Sequence, residues 1–183
     1  MNKPALDNRI KLSDLTIRQL TKADLPALEW DGEYLKYRRM YARLYHETFS
    51  GRVIMWVIEI PRGEIIGQVF VMLASSEHDT ADGKNRAYVF AFRVKSEYRN
   101  QGIGQYLMQF VEKDLRARGF KLVTLNVAKD NLGAINLYQR LGYTVIESRP
   151  GIWSFKDHRG KVQQVNEPSW RMMKNILVKR VTS

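Results

Sequence analysis

The sequence predicts a mixed α/β domain built on one central sheet, mostly antiparallel. Short apolar runs rich in β-branched and aromatic residues recur along the chain, and several are joined by turn-forming residues, as hairpin strands are. Two stretches of helical periodicity interrupt them, each directly after such a run and each closed by a glycine. The length, 183 residues, is that of a single domain, and a hydrophobic content of 44% supplies a sizeable core.

Composition narrows the chemistry. The chain has no cysteine, which excludes disulfides and thiolate-held metals, and its three histidines (His46, His78 and His158) are scattered. No metal site is expected. A net charge of +11 calls for an anionic partner: a phosphate-rich cofactor, nucleic acid, or only a solvated basic surface. Nothing resembles a signal peptide and no apolar run is long enough to span a bilayer, so a cytoplasmic protein is expected, with no membrane partner.

Residues 1–14 are polar and mixed and read as a flexible tail, leaving 15–183 as the domain. Leu15, Ile17 and Leu20 suggest a first strand. Thr21 then caps a helix that carries Pro26 in its first turn. Residues 29–50 are aromatic and basic, with Tyr34, Tyr37, Tyr41, Leu44 and Tyr45 at helical spacing. They form either a tyrosine-rich core face or a wall for an acceptor, while Arg38, Arg39 and Arg43 face solvent or an anionic partner. Residues 53–60 and 65–73 are strands joined by the turn Pro61-Arg62-Gly63-Glu64. An exposed polar loop follows, then a strand over 87–94.

The next residues, 99–104, read Arg-Asn-Gln-Gly-Ile-Gly and lead into a helix on which Ile103, Leu107, Phe110, Val111 and Leu115 share a face. Strand, glycine-bearing loop and helix suit a phosphate. The helix start offers unpaired N–H groups, Gly102 and Gly104 let an anion approach the backbone, and Arg99 and Asn100 can add donors. An ordinary tight turn would read the same way. Neither a P-loop nor a dinucleotide fingerprint fits, because Gly104 is followed by Gln105 and Tyr106 and no third glycine follows. Residues 121–127 are the next strand. A helix capped by Asp130 or Asn131 then carries Ala134, Leu137, Tyr138 and Leu141 to Gly142. Strands over 143–148 and 168–177 close the chain, with a hairpin turn at 157–161. The unit 87–127 should pair its strands in parallel.

The run Phe92-Arg93-Val94 through Gly104, together with Leu125–Tyr143 and its Asn131, Ala134, Tyr138 and Gly142, resembles the GCN5-related N-acetyltransferase superfamily. Trp170-Arg171-Met172 fits a closing strand of that family. The resemblance implies the GNAT fold, with about seven strands splayed between the fourth and fifth and about four helices. It implies acetyl-CoA in the gap, its pyrophosphate on Arg99, Asn100, Gln101, Gly102, Ile103 and Gly104. The pantetheine arm would pair with the backbone of Phe92, Arg93 and Val94, and an N–H there, that of Val94, would hold the thioester oxyanion. Asn131 would bind the arm, although a helix cap explains it equally. Tyr138 would be the catalytic acid: an amine attacks the thioester directly, a tetrahedral intermediate forms, and the phenol protonates the departing sulfur.

No base is identified. Where some members carry a glutamate on the fifth strand, this chain has Asn126, which leaves Glu29, Glu33, Glu59 or water. The implied acceptor is a small amine or a peptide or protein amine. An amine carried on nucleic acid, such as aminoacyl-tRNA, and a non-catalytic acyl-CoA-binding module are the alternatives. The resemblance also makes a homodimer an expectation.

Overall fold

A computed structural model describes residues 10–77 and 80–177. Nine strands are present among them: β1 (Thr16–Gln19), β2 (Val53–Glu59), β3 (Ile65–Met72), β4 (Arg86–Val94), β5 (Leu122–Ala128), β6 (Thr144–Arg149), β7 (Ile152–Lys156), β8 (Val162–Asn166) and β9 (Ser169–Asn175). Seven form one sheet in the order β1-β2-β3-β4-β5-β9-β6, and β7 and β8 form a separate hairpin. Only the β4–β5 pair is parallel. The helices are α1 (Arg38–Thr48), α2 (Ile103–Ala117) and α3 (Leu132–Leu141), with a 3-10 helix over Lys22–Glu29. The sequence reading of a mixed α/β sheet thus holds.

Strand β2 shows why the sheet lies between two layers. Alternate residues of a strand point to opposite faces. Ile54, Trp56 and Ile58 pack with the α2 and α3 side chains, while Val53, Met55 and Val57 pack with Tyr41 and Leu44 of α1. Burial on both faces explains a run apolar throughout. Helix α2 contributes Ile103, Leu107, Met108, Val111 and Leu115, all at most 1% exposed. Each removes enough apolar surface from water to contribute about 2 kcal/mol.

Three local features differ from the sequence reading. The helix after Thr21 is 3-10, with the Asp24 carboxylate accepting from the Thr21 N–H and hydroxyl. Pro26 removes a donor that an α-helix would need in mid-element. The assigned tail is shorter where described, because Ile10 and Leu12 pack on the larger core and the Ile10 N–H donates to Gln101; residues 1–9 lie outside the described residues, as does His78. The turn at 157–161 joins β7 to β8, two strands the sequence reading left unassigned. Their residues are mostly exposed, so they lack the apolar alternation of a core strand.

Candidate active site

The ladder between β4 and β5 covers only Arg86–Val89 against Leu122–Leu125. Beyond it β5 pairs with β9 alone and β4 with β3 alone, so the two strands part. The separation coincides with a bulge. Ala91 has φ 49°, a left-handed value costly for a residue with a Cβ, and the β3–β4 register shifts there. Gln68, fully buried, donates from Nε2 to the Ala91 carbonyl at 3.2 Å and fixes the bulge. Across from Val94 stands Gly67, where a Cβ would come within 2.9 Å of the Arg93 carbonyl and of Ile58.

The bulge inverts the alternation. Ala87 and Val89 face α2 and α3, and so do Phe92 and Val94; Phe90 and Arg93 face α1. One strand thereby sends Phe92 toward Tyr138 and Arg93 toward the tyrosines of α1. Sequence reasoning missed Ala91 and Gln68. Residues 87–92 are apolar or aromatic throughout, so no break in alternation shows in the sequence.

At the mouth of the gap lies the loop before α2. Asn100 and Gly102 have φ 59° and 80°, so the chain curls and its amides converge. Among the described residues, the N–H groups of Asn100, Gln101, Gly102, Ile103, Gly104 and Gln105 have no protein acceptor. A Cβ on Gly104 would meet Phe92 at 3.2 Å and Leu137 at 3.3 Å, so glycine lets α2 sit close to β4 and α3. The side chains have other partners. Arg99 donates from Nε to the Val94 carbonyl at 2.8 Å, and Gln101 bridges to Glu97 and Ile10. This nest of amides with small residues fits a diphosphate, and its donors are mainly backbone.

Tyr138 lies on α3 with its ring 6.1 Å from Phe92 and 5.8 Å from Tyr143. It is 5% exposed, and burial pushes its phenol well above the ordinary value. Asn131 caps α3, its Oδ1 accepting from the Ala134 N–H at 3.1 Å, which leaves its amide hydrogens to donate elsewhere.

On the opposite face, the Arg93 guanidinium sits 3.9 Å from the Tyr34 ring centre and 5.3 Å from that of Tyr37, and donates to the Tyr41 hydroxyl. Burial raises all three phenols, and the cation opposes it. Tyr37 also packs on Phe155 of β7 at 4.8 Å, which holds the hairpin against α1. Between them lies an open cleft of about 550 Å³, lined by Arg39, Met40, Arg43, Ser154, Phe155, Lys156 and Val162.

The sequence left the base open, and the three glutamates differ in their surroundings. Glu59 is ion-paired with Arg18 at 2.9 Å, and β3 separates its strand from the gap. Glu29 is held by Arg38 at 2.5 Å, which lowers its pKa. Glu33 is exposed, and its carboxylate adds to the burial that raises the Tyr34 phenol. Asn126 accepts from Arg171 Nε at 3.1 Å, a partner on β9 that sequence reasoning had noted only as part of a closing strand. Among the described residues no cluster of His, Cys, Asp or Glu could hold a metal ion, and no helix is long and apolar enough to cross a membrane.

Comparison with known proteins agrees with this geometry. The family model "Acetyltransferase (GNAT) family" matches residues 16–143. The catalytic subunit ard1 of the N-terminal acetyltransferase A complex from Schizosaccharomyces pombe is 30% identical over 131 residues, 70% of this chain and 67% of that protein. The ribosomal-protein-S18-alanine N-acetyltransferase of Escherichia coli superposes with TM-score 0.67 at 21% identity, covering 92% of this chain and 98% of that one. Spermidine N-acetyltransferase from Vibrio cholerae, solved with CoA and spermine, gives 0.65 at 18% identity, over 91% and 99%. A parted β4–β5 pair, an amide-lined loop ahead of α2 and a family match spanning both place the chain in the acetyltransferase (GNAT) family, enzymes that use acetyl-CoA as acyl donor.

Proposed function

We propose that this acetyltransferase acetylates the amine of a peptide or protein. The observation that carries the reading is the gap opening after Val89 and Leu125, with the amide nest of 100–105 and the Tyr138 ring both beside Phe92. An open cleft lies between α1 and the β7–β8 hairpin, as an extended acceptor needs, whereas a small amine needs a closed pocket. Two relatives, the ard1 subunit and the ribosomal-protein enzyme, carry names that point the same way. A polyamine fits less well, since Arg39, Arg43, Arg93 and Lys156 line the acceptor side.

Acetyl-CoA, when bound, supplies a thioester carbonyl open to attack by an amine. The chain's residues do the rest. Backbone N–H groups of 100–105 hold the diphosphate, with Arg99 stiffening the turn through Val94. Phe92, Arg93 and Val94 offer a strand edge to the pantetheine arm, and Asn131 donates to it. The Val94 N–H takes the developing negative charge on the carbonyl oxygen. Tyr138 keeps its proton because burial disfavours the phenolate, and delivers it to the leaving sulfur. The acceptor ammonium loses its proton to water in the open cleft or to Glu33, since Glu29 and Glu59 are ion-paired.

Thioester turnover with a panel of peptide amines tests this. Tyr138→Phe should lower kcat about 100-fold or more with CoA affinity unchanged. An unchanged kcat would overturn the acid role.

A further inference from the structure

We infer that the cleft between α1 and the β7–β8 hairpin selects acceptors bearing acidic residues beyond the reacting amine. The inference rests on the peptide reading above and deepens it.

The charges in the cleft are of one sign. Arg39 and Arg43 stand one helical turn apart on α1, and Lys156 faces them from β7. No aspartate or glutamate lines the cleft. Two other cations, one beside each end of α1, are paired: Arg38 with Glu29 and Arg52 with Glu47. Arg39, Arg43 and Lys156 have no ion pair among the described residues, and all three are exposed. Arg39 is also placed, because its guanidinium lies against the hairpin turn, with Nη1 3.3 Å from where a Cβ on Gly160 would stand.

Contacts link the cleft to the reaction centre. Phe155, on its wall, touches Tyr37; Tyr37 lies beside Arg93; and Arg93 is the residue before Val94 on β4. A chain leaving the gap on the α1 face therefore passes Tyr37 and enters the cleft. Met40 and Val162 in its lining suit side-chain methylenes, and its cations suit carboxylates. Single-stranded nucleic acid would use the same cations but needs free ring faces for its bases. Phe155 offers none readily, being engaged by Tyr37 and by Trp153 at 5.4 Å. Acidic peptide is therefore the occupant.

The experiment compares acetyl transfer to peptides sharing one N-terminal residue and differing at the following four positions, Glu-rich or Lys-rich, at low and high salt. The wild-type enzyme should show a KM about tenfold lower for the Glu-rich peptide, with similar kcat, and the difference should shrink with salt. The double variant R39E/R43E should lose or reverse that preference while keeping its melting temperature and its CoA affinity. Equal KM values, or a preference surviving in the double variant, would overturn the proposal. Fluorescence anisotropy of labelled Glu-rich peptide and of an oligo-dT strand, with and without Lys156→Glu, reads the cleft without turnover. Peptide binding lost in Lys156→Glu supports the proposal even if no amine is acetylated, an outcome that would sink only the catalytic reading. Tighter binding of oligo-dT at the same residues would replace peptide with nucleic acid and overturn it.

Discussion

Tyr138 illustrates how one side chain can be read two ways until its neighbours are known. Its spacing on α3 is that of a core residue, and it is indeed buried. What sets it apart is position: its ring meets Phe92 on the strand that leaves the sheet. Because burial raises its pKa, the phenol is protonated across the working range. The kcat of the wild-type enzyme should therefore rise with pH as the acceptor ammonium deprotonates, and should show no falling limb from Tyr138 up to about pH 9.5, just below the ordinary phenol value. A falling limb centred near pH 7 would contradict that assignment. Gly104 is the second residue with a clear consequence. Gly104→Ala puts a methyl group 3.2 Å from Phe92 and 3.3 Å from Leu137. The shift of α2 should raise the Kd for CoA, about tenfold for a displaced phosphate hydrogen bond, more than it lowers the melting temperature; isothermal titration and thermal unfolding read the two separately.

Among the elements, the β7–β8 hairpin depends on its base. Gly151 has φ 65°, and a Cβ there would lie 1.7 Å from the Glu167 carbonyl oxygen. Gly151→Ala cannot be accommodated without parting the hairpin from β9. It should cost about 2–4 kcal/mol in denaturant unfolding, and should raise the KM for peptides as the Phe155–Tyr37 contact loosens. The 3-10 helix near the N-terminus is held differently. Hydrogen bonds from Arg18 keep the Asp24 carboxyl near 2, against an unperturbed 3.8. A depressed folded pKa means the pair stabilises fully above the unfolded value and is lost as pH falls from about 4 through 2. Asp24→Asn should therefore destabilise by about 1 kcal/mol at neutral pH and by little near pH 2, as urea titrations at both values would show.

At the scale of the whole molecule, strands β2 to β5 were legible because burial forces a pattern on the sequence, whereas β6 is mostly exposed and was placed by the glycine that ends α3. Strand β2 alternates between two cores and α2 carries its buried stripe at helical spacing, so periodicity located both. The hairpin β7–β8 was not legible, since exposed strands carry no such pattern and only the turn at 157–161 gave a sign. The site divided along the same line. Gly102 and Asn131 announce themselves because turns and caps demand particular residues. The bulge at Ala91 and its Gln68 anchor did not, since a left-handed alanine depends on a hydrogen bond from a neighbouring strand. Nor did the pairing of Asn126 with Arg171, which lie far apart in sequence. The central claim is that the opening between β4 and β5 seats the coenzyme with its sulfur at Tyr138. A crystal structure of the CoA complex tests it most directly. The diphosphate should contact the N–H groups of 100–105, and the sulfur should lie within hydrogen-bonding reach of the Tyr138 hydroxyl, about 3.5 Å. A diphosphate bound elsewhere, or a thiol remote from that hydroxyl, would contradict it.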